Sequence, residues 1–500
     1  MYLKLKKMDL DNGDELYVMI HVKDALSEGI HDGDLIEMGI GEIDLNVRVS
    51  LSETEIEEGY IGLYRDIWTV HEFVNDSYVF IQPVSPSESI EYIKKKMLGN
   101  RLTKEQLELI MKDMGSRRLG MIENAYFLST FFNPGFDDNE LLWMTEGMAN
   151  SGSTLSFKEF SKNGTVIDKH SIGGIAGKGI TPIIVPILAS AGLVVPNAST
   201  RAITSPAGTS DILEVVMPVA LSSEQIVETV RKVGACMVWG GAVDLAPADD
   251  LLIHVERVIH LESFQKLLVS IVAKKISMGL THVLIDIPHG RGTKVQNIED
   301  VEMIEKGFKK LFDAVGIKVA FYIRDIKNPD GPGIGPNLEM IEVLKVLGQK
   351  EGHSEYLENT AADMAGKLME LCGSAQQGEG KDKACEILKS GRALKKFWEI
   401  AFAQGATEEV SEEKIRVGEY STQVKAEKGG IIKMWSNREI KKITKYLGTP
   451  VIKESGIYVE KLAGDRVEKG DVLFTMYSSS QSRIDHALSV VNLNTLVELS

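Results

Sequence analysis

The sequence predicts an α/β protein with β-rich segments at both ends, and three observations predict it. The apolar run Thr165-Val166-Ile167 reads as a strand and passes at once into a glycine-rich basic loop, Asp168 to Gly179, after which an apolar helix begins. A second apolar run, His282 to Pro288, ends the same way, in His289-Gly290-Arg291-Gly292-Thr293-Lys294. Residues 1 to about 86, and those beyond about Ser421, instead alternate apolar and polar positions between turn signals, as strands do.

Composition bounds what such a chain can do. Its 500 residues, 43% hydrophobic and 26% charged, suffice for several domains with real cores. A formal charge of −16 argues against a general nucleic-acid or membrane-surface binder, both of which need a basic face. An anionic substrate must therefore be gathered locally, and Lys169, Lys178, Arg201, Lys274, Lys275, Arg291 and Lys294 are the candidates. Cys236, Cys372 and Cys385 are too few and too far apart for a zinc site or a disulfide framework. No run approaches the ~20 apolar residues of a membrane span, so a soluble, cytoplasmic protein is expected.

In chain order, Leu3/Leu5 against Lys4/Lys6, Leu16 to Ile20 and Leu45 to Val49 are strands, with turns at Asn12-Gly13-Asp14 and Asp32-Gly33-Asp34. Val84 to Ser87 reads as a linker. Thr103 and Gln106 form a capping box before Leu107, Ile110, Met111 and Met114 at helical spacing, and Asp137 or Asp138 caps another helix through Met148. These stripes are core rather than site.

The glycine loop is where an anion belongs. Its glycines let backbone N–H groups approach a ligand, and Lys169, Lys178 and Ser171 add charge and donors. Thr181 is expected to cap the next helix, with Pro182 as its first residue and Pro186 kinking it or restricting it to one turn. A second polar segment, Ser199 to Asp211, is rich in hydroxyls and carries Arg201. Either stretch alone also reads as an ordinary turn, and neither has the dinucleotide GxGxxG or the GxxxxGK[ST] spacing. A helix follows near Ser222 to Val233, and Asp249-Asp250 reads as a helix start rather than a magnesium site. On a helix from Leu267 to Met278, Ser270 and Lys274 stand one turn apart and can reach one ligand. The segment Gly456 to Phe474 resembles a lipoyl-like half-barrel, but Lys461 lies in no attachment motif, so no cofactor is expected.

Lys169-His170-Ser171-Ile172-Gly173-Gly174, Ser199 to Ser205, Ala207-Gly208-Thr209 and Val238-Trp239-Gly240-Gly241-Ala242 occur in an order and at spacings that resemble the thymidine phosphorylase superfamily, most closely its long archaeal-type branch, the AMP phosphorylases. The resemblance spans nearly the whole chain. It implies a pyrimidine nucleoside phosphorylase-like architecture: an N-terminal β-rich assembly domain (1–86), an all-α lobe (87–163 and 247–280), a large α/β phosphate-binding lobe (164–246 and 281–415) and a C-terminal lipoyl-like α+β domain (416–500). It further implies a homodimer or larger homo-multimer.

The same resemblance implies phosphorolysis of an N-glycosidic bond, with inorganic phosphate as co-substrate and neither metal nor cofactor. Phosphate would be held by Lys169, Ser171, Thr181, Ser199 and Thr209, the rest of the substrate by Gly174, Thr200, Arg201, Ala202, Ile203, Thr204, Ser205, His254, Ser270, Lys274 and Lys294. Two positions depart from the family pattern. Glu262 stands where the branch carries an aspartate general acid, and His254 where relatives carry arginine or lysine near the base. The leading reading is a nucleoside 5′-monophosphate phosphorylase acting on a nucleotide such as AMP. A pyrimidine nucleoside phosphorylase, a nucleotide-binding assembly protein without turnover and a phosphoribosyltransferase of related fold stay open.

Overall fold

The computed structural model describes all residues except Asp14, Glu42, 70–72, Ile203, Thr204, Asp244 and His260. The chain divides into two compact units, residues 1–153 with 246–274, and residues 154–245 with 275–500.

The first unit begins with six strands, β1 (Tyr2–Lys7), β2 (Tyr17–His21), β3 (Leu35–Ile40), β4 (Ile43–Ser52), β5 (Tyr60–Leu63) and β6 (Tyr78–Pro83), closed into a barrel in the order β1-β5-β2-β4-β3-β6. The alternation explains it, because Leu3, Leu5, Ile36, Met38, Val47 and Val49 all point into one buried core. Closure leaves no edge strand open to another chain. The linker after the barrel is pinned, since Ser87 donates to buried Asp113, as does Ser89 of the next helix at 2.7 Å. Helix Lys104–Gly115 carries the expected capping box at Thr103, and in helix Asp138–Ala149 the expected cap is Asp137, which also forms a capping box with Glu140. Leu107, Ile110, Met111 and Met114 are fully buried, as the stripe requires. Lys96 and Glu140 form a buried ion pair at 2.8 Å, and Leu102 N–H completes the carboxylate's hydrogen bonds.

The second unit is built on parallel strands β7 (Ile167–Ser171), β8 (Val195–Ser199), β9 (Ala235–Trp239), β10 (His282–His289) and β11 (Lys318–Asp325). β11-β10-β7 form one ladder and β8-β9 another, all parallel, and a parallel bridge between Val166 and Val194 joins β7 to β8. Across the sheet the order is β11-β10-β7-β8-β9. The chain runs outward from β7 on one side, then crosses back to add β10 and β11 on the other. The strand order therefore reverses between β7 and β10, and the crevice at the carboxyl ends of those two strands is where open α/β sheets take ligands.

The helix after the glycine loop corrects the expectation at its start. It spans Ile180–Ser190 with Gly179 at its N-cap, so Thr181 lies inside the first turn rather than capping it. Pro186 neither ends nor restricts this helix. Its ring forfeits one hydrogen bond, worth about 3 kcal/mol with the clash, but every residue from Ile180 to Ala189 is buried, and that burial outweighs one lost bond.

The remaining strands lie at the C-terminal end, with one exception. β12 (Gly333–Ile334), β13 (Tyr420–Lys425), β15 (Gly456–Val459) and β17 (Val472–Ser478) form a sheet in the order β12-β15-β17-β13, and β14 (Gly430–Trp435) lies between β16 (Arg466–Val467) and β18 (Val497–Leu499). β12 comes from the preceding α/β region, so antiparallel pairs Gly333 with Tyr458 and Ile334 with Ile457 weld the C-terminal sheet to it.

Candidate active site

The register of β7 on β10 sets Ser171 beside Asp286 at the reversal point. Ser171 Oγ donates to Asp286 Oδ2 at 2.6 Å and accepts from Lys169 Nζ, which itself stands 3.6 Å from Asp286. On the other side of Asp286, Arg324 of β11 donates twice, at 2.9 and 3.1 Å, and reaches on to Asp330 at 2.5 Å. Asp330 N–H closes the circuit on Ala176 O, 2.9 Å away, in the glycine loop. Burial opposes the charge of Asp286, but Arg324 and then Lys169 outweigh it and hold the carboxyl down at about 2.

Lys178 adds a further cation. It donates to Gly173 O at 2.9 Å, and burial, followed by the charge of Lys169, pushes its ammonium down to about 7. Beneath the loop lies Glu339, which accepts from Gly335 N–H at 3.1 Å and whose carboxyl burial pushes up to about 8, so that it is neutral at pH 7. Lys169, Lys178 and Arg324 thus face two carboxylates, Asp286 and Asp330. Burial pushes the Lys169 ammonium down as well, and an anion bound here would favour the charged forms of both lysines.

The glycines are there for close approach. A Cβ on Gly174 would lie 2.5 Å from Ser205 Cβ, and one on Gly208 2.4 Å from Thr200 O, so the two polar loops of the sequence pack directly on each other and on themselves. Gly173, at φ +80°, has Lys294 Cβ only 2.8 Å from where its own would be, which brings in the loop after β10. Ser199 ends β8, its hydroxyl 2.8 Å from that of Ser210. Thr209 opens the short helix Thr209–Leu213, whose N-terminal Gly208 N–H and the Ala202 N–H both donate to Asp211.

Arg201 is already partnered within the chain. It pairs with Glu214 and stacks over Trp239, its guanidinium carbon 4.6 Å from the ring centroid, while staying 45% exposed. Lys275 is held in a buried ion pair with Asp168 of β7 at 2.5 Å, and Arg291 reaches Glu498 at 3.6 Å. Ile203 and Thr204 lie outside the described residues.

In the first unit, Ser270 and Lys274 do meet on one group, and that group is Asp249. Ser270 donates to Asp249 Oδ2 at 2.6 Å, and Lys274 and Lys266 approach the same carboxylate at 2.8 and 3.0 Å. Lysines thus occupy the surroundings of a residue whose neighbour, Asp250, also pairs with Lys274. His254 is five residues on from Asp249, about 140° around the helix, and lines a small cavity of ≈ 30 Å³ with Glu15, Arg48 and Asn124. It also stands one helical turn on from Asp250, the second carboxylate on Lys274. Glu262 is exposed between helices Pro247–Ile259 and Phe264–Ser277.

Sequence reasoning missed Asp286, Arg324, Asp249 and Asn437. The first had a signal: a carboxylate amid Val-Leu-Ile-Asp-Ile-Pro, a strand with no polar face, needs a buried cation. Asn437 had none.

Comparison with known proteins places these observations. Residues 163–394 match the model of the glycosyl transferase family a/b domain, and 431–497 that of the pyrimidine nucleoside phosphorylase C-terminal domain. The chain is 38% identical to an AMP phosphorylase of Pyrococcus furiosus, over 97% of its own length and 95% of the relative's. It is likewise 38% identical to one from Methanocaldococcus jannaschii, over 99% and 96%. Among solved structures, anthranilate phosphoribosyltransferase from Thermus thermophilus shares the fold at a TM-score of 0.50 and 18% identity, covering 63% of this chain and 99% of that one.

Proposed function

The chain belongs to the AMP phosphorylase family, and on that premise we propose that it transfers the ribose 5-phosphate of a nucleoside 5′-monophosphate, AMP foremost, to inorganic phosphate. A phosphate oxygen bonds to C1′, the C1′–N bond breaks, and the base leaves with a proton, giving free base and ribose 1,5-bisphosphate. The observation that carries this reading is the cationic group at the strand-order reversal, where Lys169, Ser171 and Lys178 meet at the ends of β7 and β10. Holding the phosphate there contributes by proximity and by electrostatic stabilisation of the charge that moves.

In this reading Thr181, Ser199 and Thr209 complete the phosphate site. Gly174, Thr200, Arg201, Ala202 and Ser205, with Lys294, receive the 5′-phosphate and ribose, Arg201 exchanging Glu214 for the second anion. Ser270, Lys274 and His254 serve the base, Asp249 orienting the first two, and Glu262 supplies its proton. The C-terminal region acts as a lipoyl-like structural domain without an attached cofactor, and the protein works in the cytoplasm as a homodimer or larger multimer. The match to a pyrimidine nucleoside phosphorylase C-terminal domain supports one alternative substrate class, plain nucleosides. Phosphate-dependent base release from AMP, CMP and UMP, measured beside adenosine, cytidine, uridine and thymidine, decides between them. Specificity constants higher for the monophosphates are expected; equal or higher constants for the nucleosides would promote the alternative.

A further inference from the structure

Asn437 is the first residue of helix Asn437–Leu447, beyond the α/β sheet in sequence, and is 4% exposed. Its carboxamide is spent on the anion loops. Oδ1 accepts from Ala176 N–H at 2.9 Å, and Nδ2 donates to Gly174 O at 3.1 Å and Gly292 O at 3.5 Å. One side chain therefore ties the loop after β7 to the loop after β10. The fit around it is close, since a Cβ on Gly292 would lie 3.3 Å from Arg438 N. The segment before it is anchored as well, with Trp435 N–H donating to Lys327 O at 2.9 Å and Trp435 Nε1 to Lys461 O at 2.9 Å. Gly174 and Ala176 flank the turn whose shape sets where Lys178 and the loop N–H groups point. Gly292 lies two residues before Lys294, which packs on Gly173.

We propose that Asn437 is a positioning residue for phosphate: it makes the C-terminal region part of the anion site by fixing the two glycine loops in one spacing. This deepens the proposed phosphorolysis and rests on it for the identity of the anion. Asn437→Asp is the sharpest variant, because it keeps the acceptor for Ala176 and replaces the donor facing two carbonyls with an oxygen that repels them. Inorganic phosphate binding is measured directly by calorimetry, and steady-state kinetics follow on the most active nucleotide. The expected result is a rise of about tenfold in both the Kd and the KM for phosphate, with kcat and the nucleotide KM within about twofold and partial recovery in Asn437→Gln. If Asn437→Asp does not fold, Asn437→Ser carries the same test. A phosphate Kd within twofold of the parent's, or a loss confined to kcat as when only the folded fraction falls, would overturn the proposal. Because calorimetry needs no turnover, phosphate binding that responds to Asn437 in a protein without phosphorolysis would refute the proposed reaction and leave this inference standing.

Discussion

In the proposed phosphate site Lys178 should make binding a proton-linked event, and the size of the effect follows from its surroundings. The groups that face it are Lys169, Arg324, Asp286 and Asp330, with Glu339 beneath the loop. Burial and Lys169 hold its ammonium at about 7, so at pH 7 half of the molecules carry the charge and at pH 9 about one in a hundred do. A bound phosphate dianion favours the charged form, and the cost to binding grows with pH above 7 toward a limit of about 1.4 kcal/mol per unit. From pH 7 to 9 the phosphate Kd should weaken by about fifty-fold through this group alone. Phosphate changes its own charge in the same region, so the quantity to read is the ratio of parent to Lys178→Met, in which that contribution cancels. Calorimetric titration at half-unit intervals gives it. A ratio that stays constant from pH 6 to 9 would refute the reasoning. Stability carries the opposite sign. A lysine depressed in the folded state binds fewer protons there than when unfolded, so its penalty is full below about 7 and is relieved as pH rises toward its ordinary value. Lys178→Met should therefore stabilise the protein most at pH 6.

Other substitutions separate the remaining groups. Lys169→Ala with Ser171→Ala removes two charge-assisted contacts of about 1.5–3 kcal/mol each, so the phosphate KM should rise and turnover fall; unchanged phosphate kinetics would remove both from the site. Glu262→Gln keeps shape but loses the proton, and turnover on purine nucleotides should drop by roughly 10²–10⁴-fold with little change in nucleotide KM; full activity would mean that the proton comes from another group. Asp249→Asn takes the shared carboxylate from buried Lys266 and half-buried Lys274 but leaves them Glu256 and Asp250, so the cost in denaturant unfolding should stay below the about 3–5 kcal/mol of a buried charge stripped of its partner. Against the opposing effect of burial, Lys266 and Lys274 hold the Asp249 carboxyl below the ordinary carboxylate range, so its stabilising effect is present at neutral pH and lost only in strong acid, and an unfolding midpoint insensitive to the substitution would show that Glu256 and Asp250 alone suffice for the lysines.

Local rules made much of this molecule legible. Period-two alternation marked the barrel strands, the capping box at Thr103 and a cap at Asp137 or Asp138 marked helix starts, and a strand running into glycines and lysines marked the anion loop. What stayed hidden depends on register or on distance along the chain. Nothing local says that β7 lies beside β10 with Ser171 opposite Asp286, or that Arg324 arrives from the next strand over. Asn437 sits 261 residues from Ala176, and no spacing rule joins them. At Thr181 and Pro186 the local rule was legible and lost, because a helix buried on every side is stabilised by its packing more than by its first turn.

The chain of charges from Lys169 through Asp286 and Arg324 to Asp330 also says how the molecule should respond to heat. Stripping water from ions becomes less costly as temperature rises, while the gain from burying apolar surface levels off. A loop seated on ionic partners should therefore keep its shape up to temperatures at which elements held by side-chain packing alone begin to loosen. On warming, mobility should set in first away from the β7–β10 crevice, and amide exchange at Ile172 to Gly179 should be among the last in the second unit to accelerate.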